Sequence, residues 1–91
     1  MLVMVVERFE PGTLSRIRDR FISHGRMLPE TVQYIDSWIS IDGSHCYQLM
    51  QTSDASALQP WLDAWADLVR FDVVPVMPSA DFWARTNGAP I

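Results

Sequence analysis

The pair His45–Cys46 is the first place in the sequence where two neighbouring side chains could do chemistry together. Cys46 is the only cysteine of the chain, and a thiol beside an imidazole is the usual basis of a cysteine nucleophile with its base. The pair lies, however, in an alternating stretch that is typical of a β-strand, in which neighbouring side chains point to opposite faces. We therefore expect His45 and Cys46 to point apart, with Cys46 buried as a small and inert apolar residue.

Asp36 and His45 are the remaining candidates for proton transfer. Asp36 stands between Tyr34 and Trp38 on one face of a predicted strand, where desolvation by aromatic rings would favour its use as a general base. His45 is predicted on the same face, where an imidazole could act as acid, base or ligand. The simpler interpretation pairs the carboxylate with an arginine or a hydroxyl, and places the histidine in solvent or at an interface.

Signatures of metal, cofactor or nucleotide binding do not accompany these residues. The two histidines, His24 and His45, have no carboxylate at a ligand spacing, which argues against a metal or haem site. His24 ends a predicted helix, where a cation suits the helix dipole. The sequence has no glycine-rich phosphate loop and no nucleophile elbow. It therefore predicts no metal and no cofactor.

The composition argues against nucleic-acid and membrane partners. The net charge is −4, and all seven cations are arginines. Their one cluster (Arg16, Arg18 and Arg20) is interrupted by Asp19 on a predicted helix, as expected of a solvated face. No run approaches the roughly 20 apolar residues that span a membrane, and the opening "MLVMVV" is too short for a secretory signal. A single cysteine and a length of 91 residues predict one cytoplasmic domain without disulfides.

Six secondary-structure elements are predicted to position the candidate residues. Thr13 as N-cap and Gly25 as C-cap bound the first helix. Asp42-Gly43 predicts a two-residue hairpin turn, and Pro60 fits only within the first turn of the second helix. The elements are a strand over 1–9, a helix over 14–24, strands over 32–41 and 44–51, a helix over 57–69 and a strand over 71–77.

The order β-α-β-β-α-β predicts the ferredoxin-like α+β sandwich. In this fold a four-stranded antiparallel sheet carries two helices on one face, here over residues 1–78. The other face of the sheet is left open, so it must be polar or covered by a partner. A C-terminal tail over 79–91 follows, and its Phe82 and Trp83 would be unusual in a wholly disordered segment.

Alternation sorts the residues of the hairpin into two faces. A two-residue turn would pair Trp38 with Tyr47 and Tyr34 with Gln51 across the strands. An aliphatic set suits packing under the helices: Ile35, Ile39, Ile41, Cys46 and Met50. An aromatic set with a few polar groups faces the other way: Tyr34, Asp36, Trp38, His45, Tyr47 and Leu49. Ligand pockets and dimer interfaces have this second composition, so all of this set except Leu49 are our candidate ligand-binding residues.

Two further features have both a functional and a structural interpretation. Trp61 and Trp65, four residues apart on the second predicted helix, could line a pocket between helix and sheet, although core packing is the more common outcome. Arg26, just after the first predicted helix, could close over an anionic ligand or form an ion pair at a rim.

Six stretches of the chain resemble one known protein family. They are "MLVMVVERF" (1–9), "GRMLPE" (25–30), "YIDSW" (34–38), "CYQLMQT" (46–52), "WLDAWADLV" (61–69) and "FDVVPV" (71–76). In these stretches the chain resembles the domain-of-unknown-function 3303 family of small bacterial proteins, which is placed with the dimeric α+β barrels. The resemblance implies a homodimer whose open sheet faces meet. It supplies no catalytic residues, because the family has no established activity.

Three functions from different classes are compatible with these observations. We favour a homodimer that binds a small apolar or aromatic molecule on the aromatic sheet face. The first alternative, suggested by enzymes of the wider barrel group, is a cofactor-independent monooxygenase-like or isomerase-like enzyme with Asp36 or His45 as proton acceptor. The second alternative is a structural dimerisation module without a ligand. Because fold alone does not transmit function, the three are separated by whether a cavity exists and which residues line it.

Overall fold

The protein folds around one four-stranded antiparallel sheet with the strand order β2-β3-β1-β4. The structure, a computed structural model, describes residues 1–86. Its elements are β1 (Leu2–Phe9), α1 (Leu14–His24), β2 (Val32–Ile39), β3 (His45–Thr52), a 3₁₀ turn (Ala55–Leu58), α2 (Gln59–Trp65), β4 (Val69–Val76) and α3 (Ser79–Thr86). This order and strand arrangement confirm the ferredoxin-like α+β fold. Within the described part of the chain, none of the helices is long and apolar enough to cross a membrane.

β1 lies in the middle of the sheet and pairs with β3 and β4 along almost its whole length. Val3 and Val5 are completely buried toward the helices, and Glu7 continues the same face. The strand is apolar on both sides, as expected of a central strand. The edges are formed by β2 and β4, and Pro75 lies in β4, where a residue without an N–H is tolerated.

The hydrophobic core lies between the sheet and α2. Trp61 and Phe71 meet there with their ring centroids 5.1 Å apart. The core is formed by Val3, Val5, Val32, Met50, Leu58, Trp61, Trp65, Leu68 and Val69. In contrast, α1 contributes no buried residue. The two helices therefore differ. α2 buries its apolar side chains against the sheet, whereas α1 lies above the sheet without fully burying a side chain against it.

A polar clamp connects α1 to α2. Arg20 of α1 donates two hydrogen bonds of 2.7 Å to the carboxylate of Asp67 and one of 3.0 Å to the carbonyl oxygen of Ala64. The guanidinium also lies 5.4 Å from the centre of the Trp65 ring. The hydrogen bonds from Arg20 lower the pKa of Asp67 to about 2.

The ends of α1 lie where the sequence predicts them, although the N-terminus is stabilised differently. Gly25 has a φ of 69° and donates its N–H to the carbonyl of Phe21 at 2.7 Å, as a C-cap does. Thr13 occupies the N-cap position, but its hydroxyl does not accept from the helix. The hydroxyl instead donates to the carbonyl oxygen of Glu10 at 2.6 Å, so it fixes the preceding turn.

The turn between β2 and β3 is wider than the predicted two-residue turn. Gly43, with a φ of 74°, donates its N–H to the carbonyl of Ser40 at 2.8 Å. The Asp42 carboxylate accepts from the Ser44 hydroxyl at 2.7 Å, from the Ser44 N–H at 3.0 Å and from the Ser40 hydroxyl at 2.7 Å. These bonds lower the pKa of Asp42 to about 2. The wider turn is stabilised because hydrogen bonds to the Asp42 carboxylate take the place of the backbone hydrogen bonds between strands that a two-residue turn would have.

A β-bulge at Ile35 places Tyr34 on the face of the sheet opposite to the predicted one. Tyr34 pairs with Met50 rather than with Gln51, because Ile35 is an extra residue between Tyr34 and Asp36. One extra residue transfers all earlier side chains of the strand to the other face. Tyr34 therefore lies on the helix side of the sheet, and Ile35 is 45% exposed instead of buried. The pairs beyond the bulge match the prediction: Asp36–Leu49, Ser37–Gln48, Trp38–Tyr47 and Ile39–Cys46.

The C-terminal elements follow the constraints set by their prolines. The 3₁₀ turn precedes α2, so that Pro60 falls in the first helical turn as predicted. In the predicted tail, α3 carries Phe82 and Trp83, whose rings meet edge to face with centroids 5.0 Å apart. Residues 87–91 of that tail lie outside the described residues.

Replacement of Met50 tests the position of the core. Met50 is 0% exposed on the helix side of β3, so Met50→Ala should lower the free energy of unfolding by about 2–5 kcal/mol through lost packing and a new cavity. Urea denaturation followed by circular dichroism measures this difference. Met77→Ala, at an exposed methionine, is the matched control and should change stability by less than about 0.5 kcal/mol. Equal losses in both variants would contradict the proposed core.

Candidate functional site

A cavity of about 370 Å³ lies between α1 and the helix side of the sheet. Its volume is at the lower end of the range found for small-molecule pockets. Most of its wall is apolar and includes Phe9, Leu14, Ile17, Phe21, Trp61 and Trp65. Four side chains with polar atoms share one part of the wall: Glu7, Arg26, Cys46 and Gln48.

The cavity exists because the side chains beneath α1 do not fill the space below the helix. On the sheet, this area carries the short residues Ser37 and Cys46 beside Ile39. On α1, Ile17 is only partly buried, and Ile22 is 73% exposed although it lines the cavity. A helix that presents apolar side chains without burying them leaves an accessible apolar recess.

The polar side chains of the cavity form a continuous hydrogen-bonded chain. Gln48 donates through Nε2 to the Glu7 carboxylate and accepts through Oε1 from Nε of Arg26 at 3.2 Å. The Cys46 thiol also hydrogen-bonds to the Glu7 carboxyl. The strand register explains this grouping, because Glu7 pairs directly with Cys46 and Gln48 is two residues further along the same face of β3.

Burial controls the ionisation of the two acidic groups in this chain. Glu7 is only 6% exposed, and desolvation raises its pKa above the ordinary value, against the opposing effects of Gln48, Cys46 and Arg26. Burial also raises the pKa of the Cys46 thiol to about 12, with a further contribution from the Glu7 charge. Cys46 is therefore a neutral thiol at physiological pH and not a nucleophile.

Arg26 is held at the cavity by two aromatic rings and by a hydrogen bond to its own carbonyl oxygen. Its guanidinium carbon lies 3.8 Å from the centre of the Tyr34 ring and 5.2 Å from that of Phe21, distances at which cation–π attraction operates. The indole Nε1 of Trp65 donates to the carbonyl oxygen of Arg26 at 3.1 Å. The arginine therefore contributes a positioned cation to the cavity and does not merely form an ion pair at a rim.

The predicted site residues are divided between the two faces of the sheet. Tyr34 lies on the helix side, where its hydroxyl is 2.6 Å from that of Ser37. The other predicted residues, Asp36, Trp38, His45 and Tyr47, share the open face. There the ring of His45 stacks on that of Tyr47 at 6.3 Å, and Asp36 is exposed and accepts the Ser37 N–H at 2.8 Å. Asp36 pairs with Leu49 and is not brought beside His45.

Glu7 is the functional candidate that the sequence-based prediction missed. It follows Val3 and Val5 at the strand period of two, so its side chain must share their buried face. A carboxylate at such a position is rare unless it is paired or functional. The alternation of Val3, Val5 and Glu7 along the strand was the signal that could have identified this buried carboxyl group. Among residues 1–86, no three His, Cys, Asp or Glu side chains are grouped so that they could hold a metal ion.

The fold and the cavity together define a ferredoxin-like α+β domain with a pocket beneath its first helix. The chain belongs to the family described as domain of unknown function (DUF3303), whose model matches residues 1–89. No curated protein and no solved structure matches the chain significantly.

The buried carboxyl of Glu7 should make the stability of the protein depend on pH. Because burial raises the pKa of Glu7 above its ordinary value of 4.5, the folded state binds its proton more tightly than the unfolded state does. The free energy of unfolding should fall as the pH rises from 4.5 through the raised pKa of Glu7. Glu7→Gln removes this contribution, so its stability relative to wild type should increase with pH. Urea denaturation between pH 4.5 and 8 measures the trend, where about 1.4 kcal/mol corresponds to one pKa unit.

Glu30→Gln is the matched control for this measurement, because Glu30 is an exposed glutamate away from the cavity. It should follow the pH dependence of the wild type. Parallel pH profiles for wild type and Glu7→Gln would show that the Glu7 carboxyl is not desolvated in the folded protein.

Proposed function

We propose that this protein binds a small, predominantly apolar molecule in the cavity between α1 and the sheet. The supporting observation is the combination of an apolar volume of about 370 Å³ with a few convergent polar groups on one wall. Small-molecule sites are built in this way, with apolar walls for affinity and a few polar atoms for orientation. The proposed site lies on the face opposite to that predicted from the sequence.

The chemistry of the wall limits the class of ligand. Phe9, Ile17 and Phe21 would cover a hydrocarbon or aromatic body, since all three line the cavity. Arg26 supplies hydrogen-bond donors, and Glu7 supplies one carboxyl group. A ligand that matches this wall has a compact apolar body and one oxygen-bearing polar group. The volume lies near the lower limit for drug-sized ligands, which favours molecules of one or two rings.

We also propose that the protein is a homodimer formed through the open sheet face. This proposal is supported by exposed large apolar side chains on that face: Trp38 is 52% exposed, Tyr47 39% and Val74 45%. Large apolar side chains exposed on one face of a sheet are characteristic of interfaces. Ligand binding by Asp36, Trp38, His45 and Tyr47, and proton transfer by Asp36 or His45, stay predictions from the sequence.

Filling the cavity should weaken ligand binding. Ile17→Trp places a larger side chain in the wall beneath α1, so the affinity for one- and two-ring apolar compounds should fall at least about 10-fold by steric exclusion. The measurement is the rise in Tm with ligand concentration, because a ligand that binds only the folded state stabilises it by mass action. The compound panel includes 2-indanone, naphthalene and cyclohexanone.

The matched control is Ile41→Trp, which adds the same side chain at a fully exposed position in the β2–β3 turn. It should keep the Tm shift of the wild type. The proposal fails if no compound raises the Tm of the wild type, or if Ile17→Trp responds as the wild type does.

A charge on the open face should separate the dimer. Tyr47→Glu introduces a carboxylate beside Trp38, its cross-strand neighbour, and burial of this unpaired charge at an interface is unfavourable. Sedimentation equilibrium should show a dimer for the wild type and a monomer for Tyr47→Glu. Ser23→Glu, on the exposed surface of α1, should stay dimeric. A wild-type protein that sediments as a monomer at micromolar concentration would refute this arrangement.

A further inference from the structure

The fold of the protein does not require a carboxyl group at the position of Glu7. A glutamine or an apolar residue at this position of β1 would complete the buried face of Val3 and Val5 without the cost of desolvating an acid. Instead, the structure places an acid on the cavity wall, 6% exposed, with hydrogen bonds from Gln48 and Cys46. A buried carboxyl that borders a ligand-sized cavity is a candidate proton acceptor.

Arg26 supplies the second group that proton transfer requires. Its Nε is connected to the Glu7 carboxylate through a single carboxamide, that of Gln48. The base and the cation therefore border the same cavity and are joined by one hydrogen-bonded side chain. The rings of Tyr34 and Phe21 hold the guanidinium in place before a ligand binds, as stabilisation of a developing oxyanion requires.

Trp61 lies in the cavity wall but does not offer its indole N–H to a ligand. It lines the cavity, and its indole Nε1 is buried without a hydrogen-bond partner among the described residues. A buried donor without an acceptor is unfavourable by about 1–3 kcal/mol. Because this Nε1 has almost no exposed surface, it does not face the cavity, and Arg26 is the donor that the polar part of the wall offers to the carbonyl oxygen of a ligand.

We propose that this cavity catalyses proton transfer at the carbon next to a carbonyl group in a small, neutral, apolar ketone or aldehyde, with Glu7 as the base and Arg26 at the carbonyl oxygen. The inference rests on the proposed binding function and names its substrate class and chemistry. A neutral substrate suits the predominantly apolar wall of the cavity.

The reaction balances without an oxidant, a reductant or a metal. The Glu7 carboxylate takes a proton from the α-carbon, and the C–H electron pair forms a carbon–carbon double bond. The carbonyl π pair moves to the oxygen, where the guanidinium of Arg26 stabilises the enolate. The Glu7 carboxylic acid then returns a proton to carbon at the same or at a conjugated position. The net result is isotope exchange or isomerisation, with Glu7 restored to its carboxylate form.

The ionisation of Glu7 suits this role. Burial raises its pKa, which makes the carboxylate form a stronger base. The ionisable groups that face it are Arg26 before β2, Cys46 on β3 and Arg18 on α1 across the cavity. A guanidinium group is not deprotonated in proteins, and burial raises the pKa of Cys46 to about 12. A pH profile between 5 and 9 therefore reports on Glu7.

The test measures hydrogen–deuterium exchange at the CH₂ groups of 2-indanone in D₂O by ¹H NMR, with saturating ketone and wild-type protein, Glu7→Gln or Glu30→Gln. Wild type and Glu30→Gln should accelerate exchange equally above buffer, and the rate should rise with pD and then level off. Glu7→Gln should be slower by about 100-fold or more, because an amide cannot accept the proton. The Tm shift with 2-indanone should persist in Glu7→Gln, which shows that its cavity is intact and occupied.

The outcomes separate the two proposals. Binding of 2-indanone to the wild type without accelerated exchange overturns the catalytic inference and leaves the binding function standing. Equal exchange rates for wild type and Glu7→Gln also overturn the inference, because the carboxylate is then not the base. Absence of binding for every compound in the panel overturns both proposals, whereas binding of naphthalene without binding of any ketone overturns only the catalytic inference.

Discussion

Burial of the Glu7 carboxyl on the central strand is the constraint on which the arrangement of the site depends. An acid inside the sheet layer needs donors close by, and only neighbouring strands and loops can supply them. Cys46 and Gln48 do so from β3, and Gln48 in turn fixes the position of Arg26. The polar wall is thus one connected unit, in which a change at any member alters the surroundings of the next.

The bulge at Ile35 adds a contact from β2 to this polar wall. By moving Tyr34 to the helix side, it places an aromatic ring 3.8 Å from the Arg26 guanidinium. Without the extra residue, alternation would point Tyr34 at the open face, and Arg26 would lose this partner. Bulges commonly redirect a side chain next to a functional site. A bulge of one residue in the sheet therefore determines which aromatic ring contacts the cation that borders the cavity.

The fold was predictable from the sequence, whereas a pocket between helix and sheet was only the less favoured of two interpretations of Trp61 and Trp65. Alternation, the Gly25 C-cap and Pro60 were sufficient to place the strands and helices, because these signals are local. The bulge leaves no local signal: Ile35 continues the alternating pattern, and only the packing of both strands shows that it is extra. The wide turn depends on side-chain bonds to Asp42 that turn statistics do not contain. Glu7 was visible in the pattern, but the open volume beside it depends on how far α1 stands from the sheet.

The absence of buried residues in α1 has a consequence for the kinetics of the site. A helix that buries little apolar surface contributes little to cooperative stability, so it can detach from the sheet at a lower free energy than global unfolding requires. The Arg20–Asp67 clamp holds α1 near its middle and leaves both ends freer than the point of attachment. Detachment of α1 would widen a recess that is already accessible, so the stability of this helix on the sheet bears on how fast an occupant can enter and leave.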